Sequence, residues 1–84
     1  MLNRQQMEAH LALLGWLPMT DGTYYHLVNA VADRCFYRSI SGSGHVAALS
    51  ARLGTPDRFS DGWEDIPDAV FYEIYGAMEA RGVI

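Results

Sequence analysis

The sequence predicts a mainly α fold, a compact bundle of about four short helices in one domain spanning residues 1–84. Half of the residues are apolar and 12% are aromatic, which is enough to build a packed core. Apolar residues recur at helical spacing in several segments, and capping residues or glycines stand at the ends of those segments. These observations together favour helices over strands.

The first helix is predicted from Asn3 to Gly15. Asn3 is a capping residue, and Gln6 stands three places later, where a capping box needs it. The apolar stripe that follows consists of Met7, Leu11 and Leu14. Gly15 is typical of a helix C-terminus. We expect residues 16–22 to form a loop from which Trp16 and Leu17 return to the core.

Residues 23–40 allow two interpretations. Their ends, "TYYHLV" and "RCFYRSI", are rich in residues that favour strands, but the sequence between them lacks an Asn-Gly or Asp-Gly turn. At helical spacing one side collects Tyr24, Leu27, Val28, Val31 and Cys35, and the other collects His26, Asn29 and Asp33. We therefore predict a helix, capped by Asp21 or Thr23. The alternative is an α+β fold with residues 23–40 as a β-hairpin packed on three helices.

The third helix is predicted to begin at Ser43 and to end at Gly54, before Pro56. Its apolar stripe consists of Val46, Leu49 and Leu53. Part of this segment, "VAALSARLGT", resembles the first helix and turn of a helix-turn-helix. The acidic residues that follow would repel phosphates, so the DNA-binding function implied by this resemblance is a minor alternative.

The fourth helix is predicted from about Pro67 to Arg81, with Asp65 as its cap and Asp68 in its first turn. Its broad apolar face consists of Val70, Phe71, Ile74, Tyr75 and Met78. Gly76 within this helix predicts close packing against another helix.

Charge and cysteine content narrow the function class. The net charge is −4, so the chain lacks the basic surface of a typical nucleic-acid binder. All six basic residues are arginines. Cys35 is the single cysteine, which excludes an intramolecular disulfide and fits a reducing compartment. No apolar run approaches the ~20 residues of a membrane span, and no signal peptide is apparent. We expect a cytoplasmic protein.

The stretch "DRFSDGWEDIPD", Asp57 to Asp68, is the most distinctive in the chain. Its carboxylates and glycine resemble a calcium-binding EF-hand loop. Phe59 replaces an oxygen ligand of that pattern, Glu64 stands where an aliphatic residue belongs, and Asp68 is shorter than the usual glutamate. The preceding helix is also predicted to stop before the loop. Calcium binding is therefore only an alternative.

The preferred interpretation of this stretch is a protein-binding surface. Carboxylates steer a basic partner, and aromatic residues anchor it. The predicted binding residues are Asp57, Phe59, Asp61, Trp63, Glu64 and Asp65.

The other candidate groups predict no catalysis. His26, Asn29 and Asp33 could share a helix face as an acid/base group, but a solvated face explains them as well. A pair of Cys35 with a histidine is disfavoured because the position of Cys35 predicts burial. The three histidines have no metal-ligand spacing, so we expect no cofactor and no metal site.

These observations predict a small acidic protein-binding module without enzymatic activity. It would act as an inhibitor or decoy on a basic or nucleic-acid-binding partner. In type it resembles the accessory proteins that bacteriophages and prophages encode against host systems. The alternatives are a self-associating structural module, such as a homodimer, then a calcium- or ligand-binding domain, then a DNA binder.

Overall fold

The computed structural model of the chain describes residues 2–41, 47–50 and 62–84. Within these residues, four antiparallel strands form one sheet in the order β1-β2-β3-β4, and the sheet is combined with two α-helices. A short 3₁₀-helix at Trp63–Asp65 precedes the second α-helix. The elements are α1 (Arg4–Leu13), β1 (Trp16–Thr20), β2 (Tyr24–Asn29), β3 (Arg34–Ser39), β4 (Ala47–Ser50) and α2 (Asp68–Ala80).

The predicted four-helix bundle is therefore wrong, and the fold is α+β. Residues 24–39 form the β2–β3 hairpin, as in the alternative interpretation, although the described residues contain two α-helices instead of three. The helical spacing was misleading, because Leu27 is buried whereas Val31, expected on the same face, is 92% exposed in the turn. Aromatic and β-branched residues in β2 and β3 gain cross-strand packing that a helix would not provide.

Two further segments were also assigned incorrectly. Ala47–Ser50, part of the predicted third helix, is strand β4 and pairs with β3. The remaining features predicted for that helix, including Ser43, Val46, Leu53 and the stop at Gly54, lie outside the described residues. The predicted loop at 16–20 is β1, which tolerates Pro18 because an edge strand pairs on one side only.

Helix α1 confirms its predicted start and end. The Asn3 side chain accepts from the Gln6 backbone N–H at 2.8 Å, and the Gln6 side chain accepts from the Asn3 N–H at 2.9 Å. This capping box satisfies two backbone donors that the first turn would otherwise leave unpaired. The helix is followed by Gly15 at φ 96°, a left-handed conformation that glycine adopts without steric cost.

Helix α2 confirms its predicted apolar face. All five predicted residues are buried: Val70, Phe71, Ile74, Tyr75 and Met78. Asp68 lies in the first turn as predicted, but Asp65 does not cap the helix, because it belongs to the 3₁₀-helix and Pro67 occupies the cap position. The prediction for Gly76 is also wrong. Gly76 is exposed, and no atom lies within 4 Å of where a Cβ would stand.

One face of the sheet packs against the core, and we call the opposite face the outer face. Leu27 and Phe36 pair across β2 and β3 and are fully buried, and Trp16 of β1 packs edge-to-face on Phe36 at 5.6 Å between ring centroids. Residues of both helices join this core, including Leu11 of α1 and Ile74 of α2. Burying each such side chain stabilises the fold by roughly 1.5–3 kcal/mol. Because side chains alternate along a strand, the neighbours of these core residues lie on the outer face of the sheet.

This alternation corrects the expectation for residues 16 and 17. Trp16 is buried as predicted, but Leu17 is on the outer face and is 54% exposed. A loop could have folded both side chains onto the core, whereas consecutive residues of a strand point to opposite faces.

Candidate functional site: an acidic cleft

The structure describes half of the predicted binding surface. Trp63, Glu64 and Asp65 form the 3₁₀-helix, whereas Asp57, Phe59 and Asp61 lie outside the described residues. Glu64 and Asp65 are exposed. Trp63 is half-buried and packs edge-to-face on Phe71, with ring centroids 5.9 Å apart. Trp63 is therefore anchored on the core while part of its surface remains accessible.

Arg4 holds this segment in place. Its guanidinium donates to the backbone carbonyls of Trp63 and Ile66, both at 2.6 Å, and to the carboxylate of Asp68 at 2.5 Å. The same guanidinium lies over the Phe71 ring, 4.7 Å from its centroid. The planar fork of arginine suits several acceptors at once, so one side chain joins the start of α1 to the segment that leads into α2.

A cleft of about 450 Å³ opens beside Arg4, and we call it the acidic cleft. Its lining contains three carboxylates against one guanidinium, which leaves a net charge of two negative units when all are ionised. The lining residues are Arg4, Glu8, Trp63, Glu64, Ile66, Pro67 and Asp68. Its volume is in the range of small ligand sites, so a single large side chain fits within it.

Gly62 lies beside Glu64, one of the residues that line the acidic cleft. A Cβ on Gly62 would collide with the Glu64 carboxylate, which folds back onto the glycine backbone. The sequence pattern treated this glycine as the turn residue of a calcium loop. In the described residues the Glu64 carboxylate lies against this glycine, but it is the end of a flexible, exposed side chain that can move aside, so this contact does not by itself require glycine.

Sequence reasoning missed Arg4 and Glu8 as site residues. They are separated from Asp68 by about sixty positions along the chain, and nothing local to residues 3–8 distinguishes them from an ordinary first helical turn. Their ion pair at 3.7 Å is the i, i+4 spacing of that turn. The one available signal was the use of arginine for every basic residue, since arginine favours multidentate contacts.

The helix face on which His26, Asn29 and Asp33 were grouped does not exist. Asn29 is on the core side of β2, 4% exposed, where it donates to the Leu14 carbonyl at 2.9 Å and accepts from the Ala32 N–H at 3.0 Å. Asp33 is in the β2–β3 turn at φ 53°. His26 is on the outer face. The grouping depended on a helix, and strand alternation separates its members.

A different polar cluster lies on the outer face, and we call it the thiol cluster: Asp21, His26 and Cys35. His26 Nδ1 is 3.3 Å from Cys35 Sγ, and His26 Nε2 is 3.0 Å from Asp21 Oδ2. Strand register explains this, because Val28 pairs with Cys35 and places His26 diagonally across from the thiol on the same face. The hairpin prediction would have brought His26 and Cys35 together, whereas the helix prediction placed them on opposite sides of the helix.

The thiol cluster shifts the ionisation of its members. Burial, with a contribution from the charge of Asp21, raises the pKa of the Cys35 thiol to about 11. Burial alone would also raise the pKa of Asp21. Hydrogen bonds from His26 and from the backbone N–H groups of Tyr24 and Thr23, together with the charge of His26, outweigh that effect and lower it. Asp21 is therefore a carboxylate at neutral pH, and Cys35 is a protonated thiol.

Residues 2–41, 47–50 and 62–84 contain no group of three His, Cys, Asp or Glu side chains arranged to hold a metal ion. The front of the calcium-like pattern, Asp57 to Asp61, is outside these residues. No described helix has both the length and the apolar character needed to cross a membrane.

Comparisons with known proteins add no family to this description. No protein-family model, no curated protein and no solved structure matches the chain.

Proposed function

We propose that the protein is a small protein-binding module that accepts a basic side chain of its partner in the acidic cleft. One observation carries the proposal: Trp63 and the carboxylates of Glu8, Glu64 and Asp68 line the same cleft. Carboxylates attract a cation at a distance, and an aromatic ring binds a cation and its alkyl stem on contact. Arginine and lysine side chains combine these two features.

The packing of Trp63 supports a role in binding. Its ring is already held against Phe71, so little side-chain freedom remains to be lost when a partner contacts it. Tryptophan anchored in this way is common among residues that dominate binding energy.

Arg4 divides the carboxylates of the acidic cleft into two groups. Asp68 accepts a direct hydrogen bond from the guanidinium, whereas Glu8 is 3.7 Å from Arg4 Nε and Glu64 has no hydrogen bond or ion pair among the described residues. Glu64, which is exposed, is therefore the carboxylate most available to a partner, whereas Glu8 is 20% exposed and is shared with Arg4. An arginine of the partner would meet Glu64 and the Trp63 ring on one side and Glu8 on the other.

The partner class follows from charge. A net charge of −4 favours a basic protein, and a surface that normally holds nucleic acid is one such partner. The module would then act as an inhibitor or decoy of the accessory type, in the cytoplasm, where a single reduced cysteine is stable. Self-association is the rival class, and sedimentation at low and high protein concentration separates the two.

The test is a titration of the ¹⁵N-labelled protein with a short arginine-containing peptide, followed by NMR. We expect the largest shifts at the Trp63 indole and at the Glu64 backbone amide. Binding should weaken at higher salt, because exposed charges are screened over about 8–10 Å. A peptide with glutamate in place of arginine should cause no shift at these groups.

Variants locate the binding site. Glu64→Gln and Glu8→Gln should each weaken peptide binding several-fold, as expected when a charge pair worth roughly 0.2–1 kcal/mol is lost. Glu79→Gln is the matched control, because Glu79 is an exposed carboxylate near the opposite end of α2, roughly 16 Å along the helix from Asp68. Equal weakening by all three variants would mean that only net charge matters, and the proposal would fail.

A further inference from the structure

The thiol cluster stands apart from the acidic cleft and shares no residue with it. Both ring nitrogens of His26 are engaged, one toward the thiol of Cys35 and the other toward the carboxylate of Asp21. A nucleophile within hydrogen-bond reach of a base, with the base oriented by a third group, is the general arrangement of an activated nucleophile.

The surroundings hold this arrangement in place. Asp21 Oδ1 accepts from the backbone N–H groups of Thr23 and Tyr24 at 2.8 and 2.7 Å, so the carboxylate is fixed by the β1–β2 turn and offers Oδ2 to His26. The imidazole lies beside the Tyr24 and Tyr37 rings, with centroids 5.8 and 6.2 Å away. The turn needs only Oδ1, so the contact of Asp21 with His26 is additional to what the fold requires.

We propose that Cys35 is a nucleophile that accepts an acyl group from an activated ester or thioester, with His26 as general base and Asp21 as the residue that orients it. The active tautomer carries its proton on Nε2, which donates to Asp21, and leaves Nδ1 free to accept the thiol proton. The ionised carboxylate stabilises the imidazolium that forms.

The reaction balances within the cluster and the acyl donor. Nδ1 takes the Sγ–H proton while the sulfur electron pair forms a bond to the carbonyl carbon, and the carbonyl π electrons move to oxygen. The tetrahedral intermediate then collapses, the bond to the leaving oxygen or sulfur breaks, and the leaving group takes the proton from the imidazolium. The products are S-acyl Cys35 and a free alcohol or thiol. Water follows the same path to release the carboxylic acid.

The burial of Cys35 limits the size of the acyl donor and makes the acylation rate depend on His26. The residue is 6% exposed, so the proposal is restricted to a small acyl group. Its raised pKa leaves very little free thiolate at neutral pH, so a fast reaction requires proton removal by His26 during the attack. An inert core thiol would instead react more slowly in the folded protein than in the unfolded chain.

The test uses the full chain and p-nitrophenyl acetate. Release of nitrophenol gives the acylation rate, and intact mass with peptide mapping locates the acetyl group. We expect one acetyl group on Cys35, and a rate at pH 7.5 at least tenfold above that of the urea-unfolded protein. His26→Gln should lower the rate by about 10²-fold, the lower limit for general-base catalysis. Asp21→Asn should also lower the rate strongly, because the amide oxygen would stay on the Thr23 and Tyr24 N–H groups and the amide NH₂ would donate to Nε2. The imidazole proton would then lie on Nδ1, which could no longer accept the thiol proton.

A control variant and the pH dependence of the rate test whether His26 acts as the base. His10→Gln removes a histidine of α1 that contacts Tyr75 at 3.2 Å, and it should leave the rate unchanged. In the wild-type protein the rate should not follow the ionisation of the thiol, because the proton leaves Sγ during the attack. The titratable groups described around the imidazole of His26 are Asp21, Cys35, Tyr24 and Tyr37. A rate that keeps rising toward the thiol pKa of about 11, or that His26→Gln leaves unchanged, would overturn the proposal.

Discussion

Replacing Arg4 with alanine removes the side chain that joins α1 to the segment leading into α2. Arg4 is only 17% exposed and donates to two backbone carbonyls, each a charge-assisted hydrogen bond worth ~1.5–3 kcal/mol net. Its contact with the Phe71 ring adds about 0.5–1 kcal/mol. The ion pair with Asp68 adds little, because that carboxylate is 77% exposed.

These contributions are not additive, because water entering the open cleft satisfies part of what the guanidinium satisfied. We therefore expect Arg4→Ala to lower the free energy of unfolding by about 2–4 kcal/mol. For a domain of this size the melting midpoint should fall by roughly 10–25 °C. Urea unfolding followed by Trp fluorescence and circular dichroism measures the change, with an unchanged m-value as the sign of a two-state comparison.

Two further variants show whether the loss of stability in Arg4→Ala comes from its hydrogen bonds or from its charge. Arg4→Lys keeps the charge without the planar fork, so its stability should lie between that of the wild type and that of Arg4→Ala. Arg34→Ala removes the same charge from an exposed position at the start of β3 and should change the free energy by no more than about 0.5 kcal/mol. A loss below 1 kcal/mol for Arg4→Ala, or an equal loss for Arg34→Ala, would refute the reasoning.

Two other predictions follow from single residues. Gly76→Ala should raise the free energy of unfolding by about 0.5–1 kcal/mol in the same urea assay, because the position is exposed, helical and has room for a methyl group; a loss of stability would mean that the site is packed. Asp21→Asn should remove part of the acid sensitivity of folding. The pKa of Asp21 in the folded protein is below its ordinary value of 3.8, so the stabilisation that Asp21 contributes is present above that pH and is lost as the pH falls through the folded pKa. Melting at pH 6 and pH 2.5 should therefore differ less in Asp21→Asn than in the wild type, whereas the exposed Asp65→Asn should resemble the wild type.

The sequence predicted the two ends of the fold better than its centre. Asn3 with Gln6, and the five apolar residues of α2, act within one helical stretch, so their effects are local and can be read in one dimension. In the centre, apolar residues at 27 and 28 fitted a helical stripe and a strand equally well. Val31 fitted only the helix, and the structure places it in a turn. When the spacing of apolar residues fits both a helix and a strand, the pairing with neighbouring strands decides between them. That pairing cannot be read from the spacing within one segment.

The candidate site divides in the same way. The acidic stretch and Trp63 attracted notice because their composition is unusual, and the described part of that stretch does border a cleft. Arg4 and Glu8 escaped notice because only folding brings them to it. A pair of Cys35 with a histidine was considered and disfavoured, because Cys35 was expected to be buried, which is correct. Which histidine lies beside the thiol, and the third group Asp21, depended on strand pairing that the helical assignment lacked.

By itself, the sequence determined where α1 and α2 begin and end, which face of α2 is buried, and the net acidic charge of the chain. The α1 stripe was predicted only in part, because Leu11 is buried but Leu14 is 44% exposed. Caps, glycines and apolar stripes act over one or two turns, so they need no distant partner. Only the tertiary structure decided that residues 16–20, 24–29, 34–39 and 47–50 are strands, because the hydrogen bonds of a strand are made with neighbouring strands, as in the pairing of Tyr37 with Ala47. The same long-range pairing brought Asp21 and Cys35 to the two sides of His26, and helix packing brought Arg4 to Asp68.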